Sequence, residues 1–252
     1  MNVGKIREHL AFYGKICYND AVASSFLEAN MNNITGAIFD MDGTLTDSMF
    51  VWDECMDEVL HRYFHTTRDQ MDQAMVQKMD TAPISIGGPM LCEYFSSSID
   101  PNEILGMMRE YFRDFYCNKI ELKDGVRELL DHLKKKGVRM CVASASSPEM
   151  VRAALKHCEI EDCFCAVLTC DDVKKSKEYP DIYEAALSLL NTPKETTWIF
   201  EDAVIALRTA HRMGMNTVGI YDAGQKEQEE IRSLSMIYVE REENHRKLIA
   251  CF

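Results

Sequence analysis

The feature that most constrains this chain is an alternation of short apolar runs and amphipathic stretches that starts at residue 121 and continues to the end. Val126 to Lys136 carries helical spacing and is stopped by Gly137. Val138 to Ala143 reads as a strand, Ser147 to Cys158 as a helix, and Ala166 to Thr169 as a strand. Pro180 to Leu190 is a helix with proline near its start, Thr197 to Phe200 a strand, and Ala203 to Met213 a helix stopped by Gly214. Thr217 to Tyr221 and Met236 to Val239 complete the strands. Strand–helix units of this length predict a parallel sheet covered by helices on both faces, an α/β Rossmann-like fold.

One further strand belongs to this set but lies far upstream. Ile34 to Phe39 is a short apolar run ending in Asp40, and a polar, glycine-containing turn follows, with Asp47 and Ser48 as candidate N-caps of the next helix. Residues 48–120 then show helical patterning throughout, with breaks expected at Pro83, at Gly87-Gly88-Pro89 and from Ser96 to Pro101. The expected organisation is a sheet domain of residues 34–47 and 121–252, interrupted by an all-helical domain at 48–120. Residues 1–33 read as a helical extension, with Ile6, Leu10, Tyr13 and Cys17 on one face and no group suited to chemistry.

Charge narrows the partners. The formal net charge of −13 argues against nucleic acid and anionic membrane. No apolar run approaches the ~18 residues of a membrane span, and no secretory pattern opens the chain, so the expected location is the cytoplasm. Ten cysteines show no zinc-ribbon or CxxC spacing. The tightest group, Cys158, Cys163, Cys165 and Cys170, reads as small apolar residues.

In open parallel sheets, ligands bind beyond the carboxyl ends of the strands. The first strand delivers Asp40, Asp42 and Thr44 there, the second Ser144, Ala145 and Ser146, and the fourth Glu201 and Asp202. Lys177 lies near the third. Each has a bland alternative: Asp40 a helix cap, Ser144 a turn residue, Lys177 a solvated charge, Glu201 and Asp202 first-turn acids. Their joint occurrence at successive strand ends favours a site. Four clustered carboxylates need a cation, and an oxygen-rich set suits Mg²⁺.

The motifs resemble those of the haloacid dehalogenase superfamily, in its beta-phosphoglucomutase-like branch with a helical cap. Phe39 to Ser48 is similar to the first motif, Val142 to Ser146 to the second, Ser176-Lys177 with Pro180 to Tyr183 to the third, and Ile199 to Ala203 to the fourth. The resemblance covers about residues 34–240. It implies that Asp40 attacks phosphorus, that Asp42 serves as acid and base, and that Lys177 stabilises Asp40. Ser144, Ala145 and Thr44 would contact the substrate phosphate. Asp40, Asp202, Glu201 and the Asp42 carbonyl would hold Mg²⁺. The chain departs from the pattern at Ala203, Ala206 and Glu178.

The implied activity is Mg²⁺-dependent hydrolysis of a small phosphorylated metabolite, with the helical block acting as a lid. A sugar-phosphate mutase is the enzymatic alternative, although the helical block lacks the Lys-Gly-x-Ser-Arg type of loop that such caps carry. A non-catalytic phosphate-binding regulatory module is the alternative of another class. Trp52 could stack on substrate or simply pack, and Arg109 and Arg113, one helical turn apart, could hold a second anion or be solvated. The oligomeric state is left open.

Overall fold

The computed structural model describes residues 33–81 and 84–252. The helical reading of the leader therefore lies, apart from its last residue, outside the described residues. The described residues divide into two compact units, one of those up to Ser48 with Glu121–Phe252, the other of those in Met49–Ile120.

The first unit is built on six parallel strands: β1 Gly36–Phe39, β2 Arg139–Ser144, β3 Ala166–Thr169, β4 Thr197–Glu201, β5 Asn216–Ile220 and β6 Ile237–Val239. Their order across the sheet is β3-β2-β1-β4-β5-β6. β1, the first in sequence, is thus central, and all four of its residues are buried. Phe39 pairs with Val142 on one side and Phe200 on the other. That register brings the carboxyl ends of β1, β2 and β4 to one edge. The strand order reverses beside β1, which is where such sheets open a crevice for ligands.

Side chains alternate between the two faces, and both faces are covered. On one, Ile38, Cys141, Ala143 and Ile199 form a core with Ile182, Tyr183, Ala186 and Leu190 of one helix and Ala206 and Ala210 of another. On the other, Phe39 stacks on Phe200 with ring centroids 4.2 Å apart, and the Phe252 ring meets Trp198 at 5.0 Å.

Numbering the α-helices of the described residues in chain order, α1–α4 belong to the second unit. The helices of the first are α5 Val126–Lys135, α6 Pro148–His157, α7 Cys170–Val173, α8 Asp181–Leu190, α9 Val204–Arg212, α10 Gln228–Leu234 and α11 Arg246–Ile249. Ser147 caps α6 by accepting from the Met150 N–H, and Gly137 ends the turn after α5 with φ +76°. The sequence reading places β2 to β6 and four of these helices within two residues. It passes over α7, α10 and α11, which are short.

The second unit holds α1 Phe50–Val59, prolonged by a wider π-type turn at Leu60–Phe64, then α2 Gln73–Thr81, α3 Ile84–Tyr94 and α4 Pro101–Asn118. Among its described residues there is no strand. α4 is capped by the Asp100 carboxylate, which accepts from the Asn102 N–H at 2.9 Å, with Pro101 in the first turn. Two local expectations are corrected. Gly87-Gly88-Pro89 does not break the helix, because α3 runs through it. Pro89 falls in the second turn and forfeits one ladder bond there. A Cβ on Gly88 would meet the Pro101 carbonyl at 2.8 Å, so the glycine serves close helix approach. Nor do Asp47 and Ser48 cap α1. The residue before that helix is Met49, in helical conformation and with no side-chain cap.

Candidate active site

Asp40 continues the ladder of β1, its N–H donating to the Phe200 carbonyl at 3.0 Å. The chain then turns sharply. The N–H groups of Thr44, Leu45 and Thr46 all point at the Met41 carbonyl, at 3.3, 2.9 and 2.9 Å. Gly43 makes the turn with φ +85°. A Cβ there would lie 2.5 Å from Asp202 Oδ2, so the loop presses its backbone against that carboxylate. The Thr44 hydroxyl donates to Asp202 Oδ1 at 2.9 Å and fixes its other edge.

Asp42, two residues beyond Asp40, has both carboxylate oxygens engaged. Ser48 Oγ donates to Oδ1 and Ser146 Oγ to Oδ2, each at 2.7 Å. Ser48 therefore holds Asp42 instead of capping α1. Ser144, at the end of β2, is buried and accepts from the Ser146 N–H at 3.0 Å, which shapes the loop after the strand. Ala145 is exposed on that loop.

Lys177 lies in the turn before α8. Its ammonium donates to Asp40 and, at 2.8 Å, to Glu201 Oε1. Asp40, Lys177, Glu201 and Asp202 are all buried. Lys177 thus bridges two of three buried carboxylates, and the acids stand in surplus. Burial, with the Asp42 charge, raises Asp40 in spite of Lys177. Burial and then Asp40 hold Glu201 well above the usual carboxylate range. Burial, followed by the charges of Asp40 and Asp222, lifts Asp202 to about 7. Burial alone would lower Lys177, but Asp40 and Glu201 together keep it well above its ordinary value.

Ligand atoms of Asp40, Glu201 and Asp202 lie within 4.8 Å of one another. Three buried oxygen donors in surplus over the positive charge beside them, next to a glycine backbone that leaves no room for a side chain, fit a hard divalent ion. A cation there would reverse the upward pressure on all three acids. The Asp42 carboxylate is not part of this group.

The sequence reading missed Gln225 and Asp222 at this edge, and named Ser48 and Ser146 without their partner. Ser48 and Ser146 hold Asp42. Gln225 Nε2 donates to Asp202 Oδ2 at 2.8 Å. Asp222 is buried, with Lys123 Nζ at 2.6 Å. The position of Asp222 just past β5 is the same strand-end placement that singled out Asp40 and Glu201. Tyr183 OH is buried with no hydrogen-bond partner, close enough to Lys177 and Glu201 for their charges to act on it. In the helical unit, the Trp52 ring packs at 4.5 Å from Phe112, Arg113 pairs with Glu110 at 3.4 Å, and Arg109 is exposed. No helix among the described residues is long and apolar enough to cross a membrane.

A parallel sheet with acids at the ends of β1 and β4 and a lysine between them is the arrangement of a family of hydrolases. The chain belongs to the haloacid dehalogenase-like hydrolases, whose family model matches residues 37–220. It is 28% identical over 189 residues to the pyrophosphatase PpaX of Bacillus velezensis, covering 74% of this chain and 83% of that protein. It is 24% identical over 181 residues to the phosphorylated carbohydrates phosphatase of Thermotoga maritima, covering 72% and 82%. Among solved structures, a Thermotoga maritima protein provisionally assigned as a beta-phosphoglucomutase superposes with a TM-score of 0.72 at 22% identity, over 86% of this chain and 97% of that one.

Proposed function

We propose that the protein is a Mg²⁺-dependent phosphatase of small phosphorylated metabolites, working through an aspartyl-phosphate on Asp40. The observation that carries this reading is the grip of Lys177 on Asp40 and Glu201 at the end of the central strand. It orients a carboxylate for attack and keeps a positive charge where the phosphoryl group would sit. The relatives named above, which act on pyrophosphate and phosphorylated carbohydrates, support phosphorylated substrates of that size.

In this reading Asp40 attacks phosphorus and the leaving oxygen departs with a proton from Asp42. Asp42 then takes a proton from the water that hydrolyses the acyl phosphate. A covalent intermediate divides one difficult displacement into two easier ones. Ser48 and Ser146 hold the Asp42 carboxyl in place between the two steps. Lys177, Ser144 and the backbone at Ala145 bind and position the phosphoryl oxygens, while the Thr44 hydroxyl serves Asp202 in place of the phosphate contact the resemblance implied. Asp40, Asp202, Glu201 and the Asp42 carbonyl would hold Mg²⁺, which would supply charge stabilisation to the transferring group. Residues 34–48 and 121–252 carry this chemistry.

The test is a panel of sugar phosphates, other phosphomonoesters and pyrophosphate with the purified protein, read as phosphate release. Release that needs Mg²⁺ and stops in EDTA is expected. Full turnover in chelator would overturn the metal assignment. No release from any compound, with phosphate binding retained, would favour the regulatory module.

A further inference from the structure

The loop after β5 is built to deliver one side chain to the candidate metal site. Asp222 closes the strand and anchors the loop. Its Oδ1 accepts from the Gly224 N–H at 2.8 Å, and its Oδ2 accepts from Lys123 Nζ at 2.6 Å. Lys123 also donates to the Tyr221 carbonyl at 2.9 Å. From the far side, Gln228 Nε2 donates to the carbonyls of Asp222 and Gln225 at 2.6 and 2.9 Å. Gln228 is itself held by the Tyr238 hydroxyl at 2.6 Å. Gln225 is therefore fixed at both ends of its short turn, and its amide reaches Asp202 Oδ2 at 2.8 Å.

Asp202 thus accepts from two directions: the Thr44 hydroxyl on Oδ1 and the Gln225 amide on Oδ2. An ionised carboxylate has about four lone-pair sites. Two donors use half of them, lock the plane of the group, and leave one site on each oxygen for an ion. Partners of this kind orient ligands and typically change metal affinity ~10–100-fold when removed. Only a donor works here. A carboxylate in the place of Gln225 would add to an acid surplus, and an apolar side chain would leave Oδ2 without its partner.

We propose that Gln225 is a positioning residue of the metal site, acting through Asp202, and that the β5 loop pinned by Asp222, Lys123 and Gln228 exists to hold it there. The proposal rests on the metal reading given above. The experiment is calorimetric titration of Mg²⁺ into substrate-free protein: wild type, Gln225→Ala, Gln225→Met, and Lys226→Ala as a neighbour exposed on the same loop. Wild-type protein that takes up no Mg²⁺ removes the metal reading itself. With wild-type binding established, both Gln225 variants are expected to bind about 10–100-fold more weakly, and Lys226→Ala as wild type. Their kcat at saturating Mg²⁺ should stay within a few-fold, and their melting temperatures in EDTA should stay near wild type. Wild-type Mg²⁺ affinity in Gln225→Met and Gln225→Ala overturns the proposal. An equal loss in Lys226→Ala also overturns it, because the effect would then belong to the loop as a whole.

Discussion

Lys177 and Glu201 form a buried pair, Nζ to Oε1 at 2.8 Å, with the same ammonium turned toward Asp40. Both side chains are less than a tenth exposed. The pair gathers the ends of two adjacent strands around one cation. Removing that cation strands acids that have little access to water. Lys177→Met is expected to lower stability at neutral pH in EDTA by roughly 3–5 kcal/mol. The deficit should shrink in acid, because Asp40 and Glu201, already raised, then bind protons and lose their charge. Denaturant melts of both proteins across pH check this. A constant deficit at all pH values would mean that lost packing, not stranded charge, is the cause.

The raised Asp202 gives a pH dependence of definite sign. Its folded value of about 7 lies above the ordinary ~4 of a carboxyl in an unfolded chain. Without an ion, its contribution to stability is full below about pH 4 and lost as pH rises through about 7. An ion must displace that proton, so ion binding runs the other way. The rise in melting temperature on adding Mg²⁺ is expected to be small near pH 5 and to grow through pH 7 to 8. At an ion level about 100-fold above Kd, the gain approaches about 2.7 kcal/mol. A shift independent of pH would show that the ion binds elsewhere.

Gly43 is the third point of attack. Its φ of +85° suits glycine, and any Cβ would press on Asp202 Oδ2 at 2.5 Å. Gly43→Ala is expected to cost about 1–2 kcal/mol in stability from the backbone alone. It should cost far more in ion affinity, since Asp202 must move. Calorimetry beside thermal melts separates the two effects. Wild-type Mg²⁺ affinity in this variant would show that the loop can give way without disturbing the carboxylate.

Much of this was legible in the sequence because it is periodic or positional. β2 to β6 follow apolar runs bounded by helices, and Asp40, Ser144 and Glu201 fall at strand ends, where a register-aligned parallel sheet must bring them together. What could not be read depends on partners distant in the chain. Ser48 follows an acid at the start of a helical pattern, which is the local mark of a cap, yet its hydroxyl serves Asp42. Ser146 reaches the same carboxylate from 104 positions away. Gln225 sits in a polar stretch that resembles any solvated loop, and only the pinning by Asp222 and Lys123 gives it a direction. The Gly87-Gly88-Pro89 run misled for the opposite reason: residues that usually break a helix are tolerated where a neighbouring helix packs against the glycine.

The sharpest separation of roles comes from the two aspartates of β1 and its loop. Asp40→Asn and Asp42→Asn are both expected to abolish turnover of ordinary substrates, for different reasons. Asp40, gripped by Lys177, is assigned the bond to phosphorus, so its amide should never carry a phosphoryl group. Asp42, held between Ser48 and Ser146, is assigned the protons. An activated donor with a good leaving group needs little acid assistance, and such assistance is typically worth ~100- to 10,000-fold. Asp42→Asn should therefore be phosphorylated slowly by that donor and hold the label, because the water that releases it lacks a base. Acid-quenched labelling followed by mapping of the modified residue reads this directly. Label on Asp42, or on any serine or histidine, would overturn the assignment of Asp40. Undiminished turnover in Asp42→Asn would take the proton transfers away from Asp42.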